Sequence, residues 1–537
     1  MFFQAAPWPN PEWRTDSVTP ATLNIFSSRL DAVCEEMGLV LRKAAFSPNI
    51  RDRLDFSCAV FDADGQLSAQ AAHIPVHLGS MAFAMRDIVS GVDWRPGDQL
   101  MLNDPYLGGT HLPDVTLIAP VFVADGLRAF VVNRAHHADI GAASPGSMPI
   151  SSRLEQEGMV IAPKHLVREG VLLSSVLSQV TEATRNRAES EGDFAAQVAA
   201  NRAGMARLGE LIRRYGSDGF ASGIGELNDY AERLAGEALA GIPDGRYAFT
   251  DYLDDDGQGQ RDIPIVVTLS VAGRCVTADF TGTAAQVTGN VNCPLAVAAA
   301  AVYYVFRCLM PPQTPACAGA FRPIRLHAPQ GCLLNARKPA AVAAGNVETS
   351  TRVVDAVLGA LAQAVPERVP AASHGSMNNL AMGSADLAAP WDYYETIGGG
   401  MGAGATGGGL HGVQTHMTNT LNTPVEILES CFPVRVLGYG LRSGSGGAGE
   451  RRGGDGLSRE FEFLAPAHFT LLTERRSRAP WGIAGGGDAQ RGCNLLNGVL
   501  LPAKCEGELR AGDRLRVETP GGGGYGAQAG KETGCVK

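Results

Sequence analysis

Apolar residues recur along this chain with two different periods, and the changes of period mark its elements. Thr19 and Pro20 read as an N-cap followed by proline at the first helical position. Ile25, Leu30, Val33 and Met37 then follow at near-helical spacing, which predicts a helix from Pro20 towards Met37. Residues 56–61 read as a strand, and Asp62-Ala63-Asp64-Gly65 as a turn into another. Residues 115–123 form a β-branched apolar run and residues 129–132 a shorter one. The Asp125-Gly126 turn between them predicts a hairpin. Residues 181–240 carry the strongest helical character, and Pro243-Asp244-Gly245 ends it. From Arg246 the period falls to two, and residues 247–252, 265–269 and 275–280 read as antiparallel strands. Residues 296–309 form a buried helix, and residues 345–352 cap another that begins near Ser350 or Thr351.

This pattern predicts a mixed α/β (α+β), multidomain fold with largely antiparallel and mixed sheets. The segments are an N-terminal arm at 1–17, an α/β region at 18–180 and a helical region at 181–245. An α/β region with Gly-rich loops follows at 246–432, then a β-rich region at 433–537. No repeat of solenoid period is present.

Composition narrows the class. The chain's 537 residues are enough for several cores. With 45% hydrophobic and 19% charged residues it reads as globular, and 66 glycines predict many tight turns. A net charge of −10 argues against nucleic acid or an anionic membrane as partner. The 11 cysteines are scattered, with no C-x-x-C pair, and read as reduced thiols of a cytoplasmic protein. The first residues lack the pattern of a signal peptide. The longest uncharged apolar stretch, 294–306, is too short to span a bilayer.

The predicted hairpin brings its outer ends together, and those ends carry the candidate chemistry. His111 and Asp114 precede one strand; His136, His137 and Asp139 follow the other, so the H-x-x-D unit occurs twice. Imidazole nitrogen and carboxylate oxygen in one small space suit zinc, manganese or iron. The alternative is that these side chains cap strands and satisfy loop backbone. Either His136 or His137 turns inward, since neighbours on an extended chain point opposite ways.

Other polar residues have bland alternatives beside the functional ones. Asp52 and Asp55 are expected to pair with Arg51 and Arg53. His73 and His77 flank Pro75 before a helix, where they orient an anion or substrate or merely cap the loop. Asp193, Gln197 and Asn201 share one helix face, expected to be solvated. Glu348 is an acid–base candidate or a capping-box element. His411 and His416 add two more polar candidates. The glycine run at 398–409 lacks the G-x-x-x-x-G-K-[ST] pattern, which occurs nowhere in the chain, so nucleotide binding by this chain is not expected.

Several stretches together resemble one family. They are Asn103-Asp104-Pro105-Tyr106-Leu107-Gly108-Gly109-Thr110-His111-Leu112-Pro113-Asp114, residues 135–141, Pro145-Gly146-Ser147-Met148-Pro149, residues 345–352, residues 444–449, and Pro480-Trp481-Gly482 with Gly485-Gly486-Gly487. The chain resembles the B subunit of the hydantoinase/oxoprolinase family over about residues 20–526. The resemblance implies a two-subunit machine. A hydantoinase A-type partner binds ATP and phosphorylates the substrate at a carbonyl oxygen, and the B subunit carries one divalent metal, zinc, manganese or iron. Carried over residue by residue, the ligands are Asp52, His111, Asp114 and His136. Relatives usually have Glu at the position of Asp52, in an N-I-K-E-R stretch, so this ligand is one methylene shorter here. His137, Asp139 and Glu348 are then the candidates for proton handling.

The expected function is the hydrolytic B subunit of an ATP-dependent cyclic-amide hydrolase, acting on hydantoin, 5-oxoproline or a related lactam in a hetero-oligomer. The rivals are a subunit of an ATP-dependent ketone carboxylase and a non-catalytic assembly subunit.

Overall fold

The computed structural model describes residues 19–528 apart from positions 72 and 387; the expected arm at 1–17 lies outside the described residues. Helix α1 (Pro20–Ala44) begins where its cap predicts, with the Thr19 hydroxyl accepting from the Thr22 N–H at 3.3 Å. It runs two turns beyond Met37. Its buried stripe is Leu23, Phe26, Leu30, Val33, Met37 and Leu41. Ile25 is half exposed, and Phe26 takes its place on the core-facing side.

After the short α2 (Pro48–Arg51) come β1 (Phe56–Asp62), β2 (Leu67–Gln70), α3 (Pro75–Ser90), β3 (Gln99–Leu102), β4 (Asp114–Val123), β5 (Gly126–His136), β6 (Lys164–Arg168) and β7 (Val171–Leu172). These strands form one seven-stranded sheet in the order β2-β1-β5-β4-β3-β6-β7, antiparallel at every pairing. The β4–β5 hairpin turns at Ala124 and Asp125, with φ of 50° and 59°, the left-handed backbone that tight hairpin turns require. Its register places Asp114 directly opposite His136 at the open end.

Helices α4 (Ser174–Thr181), α5 (Arg187–Tyr215) and α6 (Ser217–Ala240) follow. Here the structure corrects one expectation. The face of α5 bearing Asp193, Gln197 and Asn201 is buried, not solvated. Gln197 donates to the Val115 carbonyl at 2.9 Å and Asn201 to the Leu117 carbonyl at 3.2 Å, while the Asn133 amide donates to Asn201 Oδ1 at 2.8 Å. Asp193 accepts from the Phe46 and Ser47 N–H groups. A buried polar stripe is tolerated because its groups find partners in the sheet it crosses.

Strands β8 (Gly245–Asp255), β9 (Arg261–Ala272) and β10 (Cys275–Asp279) pair antiparallel, as the alternation predicts. The buried α7 (Leu295–Leu309) leads to β11 (Ile324–His327), parallel to β10. A single π-helical turn, Gly345–Thr349, then feeds α8 (Ser350–Leu361), so Glu348 sits inside a wide turn and not in a capping box. The last part of the chain supplies β12 (Asn379–Ser384), β13 (Asp392–Glu395), β14 (Val434–Arg442), β15 (Gly456–Phe463), β16 (Ala467–Leu472), β17 (Cys493–Leu496), β18 (Val499–Leu501), β19 (Lys504–Leu509) and β20 (Arg514–Glu518). They form a four-stranded sheet, β13-β12-β16-β19, and a five-stranded one, β14-β15-β20-β17-β18. The fold is therefore mixed α/β with several antiparallel and mixed sheets.

The glycine run at 398–409 serves backbone packing. A Cβ on Gly400 would lie 2.0 Å from the Gly454 carbonyl oxygen, so only glycine fits there. The cysteines among the described residues are all free. Among these residues no helix is long and apolar enough to cross a membrane.

Candidate metal centre

The open end of the β4–β5 hairpin holds three ligand-type atoms in a near-equilateral triangle. His111 Nε2 lies 3.1 Å from Asp114 Oδ1 and 3.2 Å from His136 Nδ1, and His136 Nδ1 lies 3.1 Å from Asp114 Oδ1. All three residues are buried. Metal bonds of about 2.0–2.1 Å place neighbouring ligand atoms about 3 to 3.4 Å apart, so the triangle fits one face of a divalent-cation shell. His136 Nε2 is buried without a hydrogen-bond partner. That nitrogen is on the far side of the ring from the triangle, so with Nδ1 as the ligand atom it carries the ring proton.

Local structure explains why these side chains converge. Cross-strand pairing puts Asp114 and His136 on the same face of the sheet. His137 must then point the other way; its Nε2 meets Gln197 Oε1 at 3.0 Å and its ring packs on Phe194 of α5. His111 is aimed by its far nitrogen, since Nδ1–H donates to the Ala343 carbonyl at 3.3 Å and leaves the Nε2 lone pair facing inward. The His136 ring stacks on Tyr394 at 4.7 Å with 12° between the planes.

Asp114 is held from both oxygens. Oδ1 faces the two imidazoles; Oδ2 accepts from the Thr110 hydroxyl and lies 3.1 Å from His77 Nε2. His77 in turn meets the Ser57 hydroxyl through Nδ1 at 3.0 Å. His77 thus acts on the carboxylate from the first turn of α3, a role that sequence order does not display. His77→Ala is expected to weaken cation binding roughly 10- to 100-fold, the usual cost of losing a partner that orients a ligand. Titration of the metal-free protein against a competing chelator checks this.

The electrostatics point the same way. Burial would raise the Asp114 carboxyl, but His111 and His77 outweigh it and hold the group well below the usual carboxylate range. Burial lowers His111, and Asp114 more than reverses it, so its net shift is upward. His136 is shifted down by burial against the opposing pull of Asp114. A site that drives its carboxylate to ionise and one imidazole to charge favours positive charge at its centre, whether a proton or a cation.

Not every candidate from the sequence reaches this cavity. It is small, about 20 Å³, and is lined by Asp55, His77, His111, Asp114, His136, Asn346 and Tyr394 among others. That is room for a single ion or water. Asp52 is absent from the lining. It sits at the C-cap of α2, and its carboxylate forms a two-pronged pair with Arg51 at 3.0 Å. Ion pairing, the bland alternative, describes it. The carboxylate that does line the cavity is Asp55, three residues on, whose carbonyl also accepts the His136 N–H at 3.0 Å.

Asp139 accepts from the Gly141 N–H, the Ser147 hydroxyl and the Arg185 N–H, and so ties loops together. Glu348 is fully buried, accepting from the Met377 N–H and the Asn379 amide; burial and Glu474 push its pKa up to about 8. His73 accepts from the Cys58 N–H through Nδ1, and burial lowers it to about 4. His411 accepts from the Asp455 N–H, and His416 packs edge-on to Tyr304. His137 lies off the triangle because one residue's step beyond His136 changes the face.

A further residue supports His111 from behind. The Glu157 carboxylate accepts from the Val342 and Ala343 N–H groups, each at 2.9 Å, and from the Ser151 hydroxyl at 2.8 Å. It therefore holds the 342–343 segment, whose Ala343 carbonyl aims His111. Burial raises Glu157 to about 7 against these hydrogen bonds. An unfolded glutamate titrates near about 4.3. The folded state therefore holds this proton more tightly, and its contribution to stability is full below about 4.3 and is lost as pH rises towards 7. Glu157→Gln is expected to flatten the decline of unfolding free energy between pH 5 and 7 relative to the parent. Denaturant melts at several pH values read the difference.

The sequence profile of the family described as hydantoinase B/oxoprolinase matches residues 19–528. An uncharacterised protein of Methanocaldococcus jannaschii is 38% identical over 94% of this chain and 90% of its own. The 5-oxoprolinase 1 of Arabidopsis thaliana is 39% identical over 94% of this chain, which spans only 42% of that relative's length. In crystal structures, the ATP-dependent caprolactamase of Pseudomonas jessenii superposes with a TM-score of 0.89 at 30% identity, covering 95% of this chain and 92% of that one. An acetone carboxylase chain superposes with a TM-score of 0.84 at 17% identity, covering 94% and 76%, a likeness of fold.

Proposed function

Since the chain belongs to the hydantoinase B/oxoprolinase family, we propose that it is the hydrolytic, metal-binding B subunit of an ATP-dependent cyclic-amide hydrolase. Its substrate would be hydantoin, 5-oxoproline or a related lactam, phosphorylated at the carbonyl oxygen by a hydantoinase A-type partner. The observation that carries this reading is the buried triangle of His111 Nε2, Asp114 Oδ1 and His136 Nδ1. The caprolactamase likeness at 30% identity supports the lactam class. The acetone carboxylase likeness bears on fold alone, so the carboxylase reading has no separate support.

An amide resists water because resonance stabilises it, and a phosphorylated carbonyl oxygen removes that protection and provides a leaving group. A divalent cation held here supplies Lewis acidity and lowers the pKa of water towards neutrality. His111, Asp114 and His136 would hold it, with Asp55 as the further carboxylate facing the same space. Thr110 and His77 orient Asp114, and His111 with His77 keeps it ionised. Ala343 keeps the His111 proton on Nδ1. Tyr394 stacks on His136 and donates through its hydroxyl to Asn379 Oδ1 at 2.5 Å, which holds its ring in place. The cavity takes an ion but not a lactam ring, so substrate entry requires the surrounding loops to open.

The test is reconstitution with a hydantoinase A-type subunit. ATP turnover is measured against a panel of hydantoins, 5-oxoproline and larger lactams, and separately against ketone plus bicarbonate. Lactam-dependent ATP hydrolysis with ring opening is the expected result. Turnover only with ketone and bicarbonate would replace the hydrolase reading by the carboxylase one. Turnover unaffected by replacing His111 with Ala would leave the chain as an assembly subunit.

A further inference from the structure

Asn346 is a polar side chain in the cavity wall that the reading so far leaves unused. It stands on the π-helical turn before α8, and its neighbour Gly345 lets that turn press inward, since a Cβ there would meet the Asn292 carbonyl oxygen at 1.8 Å. The Ser350 hydroxyl donates back to the Asn346 carbonyl at 2.5 Å and fixes the turn. The side-chain amide therefore has a set position. Its Nδ2 lies 3.1 Å from His111 Nε2 and 3.5 Å from Asp114 Oδ2. The other end, Oδ1, is buried with no hydrogen-bond partner.

These distances have a simple meaning. The amide's terminal atom stands from His111 Nε2 at the same spacing that separates the three ligand atoms from one another. A half-turn of the amide exchanges its oxygen and nitrogen without changing its shape. With nitrogen inward it donates to His111 and Asp114, which suits a centre without a cation. With oxygen inward it would add an acceptor to a lone pair and a carboxylate, an arrangement that only a positive ion makes favourable.

We propose that Asn346 is a ligand of the cation through Oδ1, and that its amide turns over when the cation enters. The proposal rests on the reading that His111, Asp114 and His136 hold a divalent ion. The resulting set has two imidazoles and, with Asp55 beside it, up to three oxygens. Oxygen-rich sets of more than four ligands suit manganese better than tetrahedral zinc.

The experiment titrates the metal-free protein with Mn²⁺ and, separately, with Zn²⁺, by calorimetry with chelator competition, in the parent, Asn346→Leu and Asn346→Asp. Leucine keeps the size and removes the oxygen; aspartate keeps an oxygen that cannot turn away. The expected result is at least a tenfold loss of Mn²⁺ affinity in the leucine variant, a smaller loss for Zn²⁺, and Mn²⁺ affinity in the aspartate variant equal to or above the parent's. Unchanged Mn²⁺ affinity in a leucine variant that melts like the parent overturns the assignment of Asn346 and leaves the centre intact. A parent protein that takes up neither ion overturns the centre itself. If the leucine variant does not fold, weakened Mn²⁺ binding by the aspartate variant overturns the assignment, and retained or tighter binding upholds it.

Discussion

Asp114→Ala is expected to empty the centre of bound cation and to lower turnover of the reconstituted enzyme by about a thousandfold or more. The carboxylate touches both imidazoles, with Oδ1 3.1 Å from His111 Nε2 and 3.1 Å from His136 Nδ1. Without it two buried imidazoles face each other with no anion between them, and Asp55 at the cavity wall is left to offset the charge of an incoming ion. A catalytic cation is worth several kcal/mol of transition-state stabilisation, and each 1.36 kcal/mol is a tenfold change in rate. Elemental analysis of the purified variant beside the parent reads the first part, and single-turnover kinetics on a lactam the second. His136→Ala should behave alike. Retention of stoichiometric metal in either variant would remove the centre from the argument.

The second large effect concerns stability. Arg475→Ala is expected to cost about 3–5 kcal/mol of unfolding free energy, the range for breaking a buried ion pair from one side. Arg475 Nη2 bridges Asp251 at 2.8 Å and Asp355 at 2.6 Å, and all three side chains are buried. Asp251 also receives the Trp481 indole N–H at 3.1 Å, which ties the 480–482 loop to β8. Loss of the guanidinium leaves two carboxylates close together, with Arg352 as the nearest remaining cation at 3.7 and 4.0 Å. Urea unfolding followed by circular dichroism measures the loss, and a change below about 1 kcal/mol would show that the carboxylates re-pair with Arg352. The candidate metal centre is untouched by this change, so any folded fraction should bind cation normally.

The two predictions separate what a strand pattern can show from what it cannot. The β4–β5 hairpin was legible because two β-branched apolar runs flank a turn signal, while the register that sets Asp114 against His136 and not His137 appeared only in the fold. The N-terminal cap at Thr19 was legible for the same local reason. Asp52 and Asp55 were not distinguishable. They lie three residues apart in one loop, and the choice between them depends on how α2 ends and where Arg51 and Arg53 turn. The polar stripe of α5 misled because a helix face of Asp, Gln and Asn looks solvated until the sheet beneath it offers carbonyls to bind.

By itself, then, the chain's order of residues determined the mixed α/β class, the hairpin and the gathering of His111 and Asp114 with the 136–139 segment at its open end, because each depends on contacts between near neighbours; which of His136 and His137 faces Asp114 was decided by the register of the folded hairpin. The supporting shell was decided only when distant segments met. His77 comes from the first turn of α3, Glu157 reaches residues 342 and 343, and Asn346 comes from a turn more than two hundred residues beyond His111. Periodicity carries no record of such distances, since a side chain's periodic position reports which face it occupies and not what the rest of the chain brings to that face.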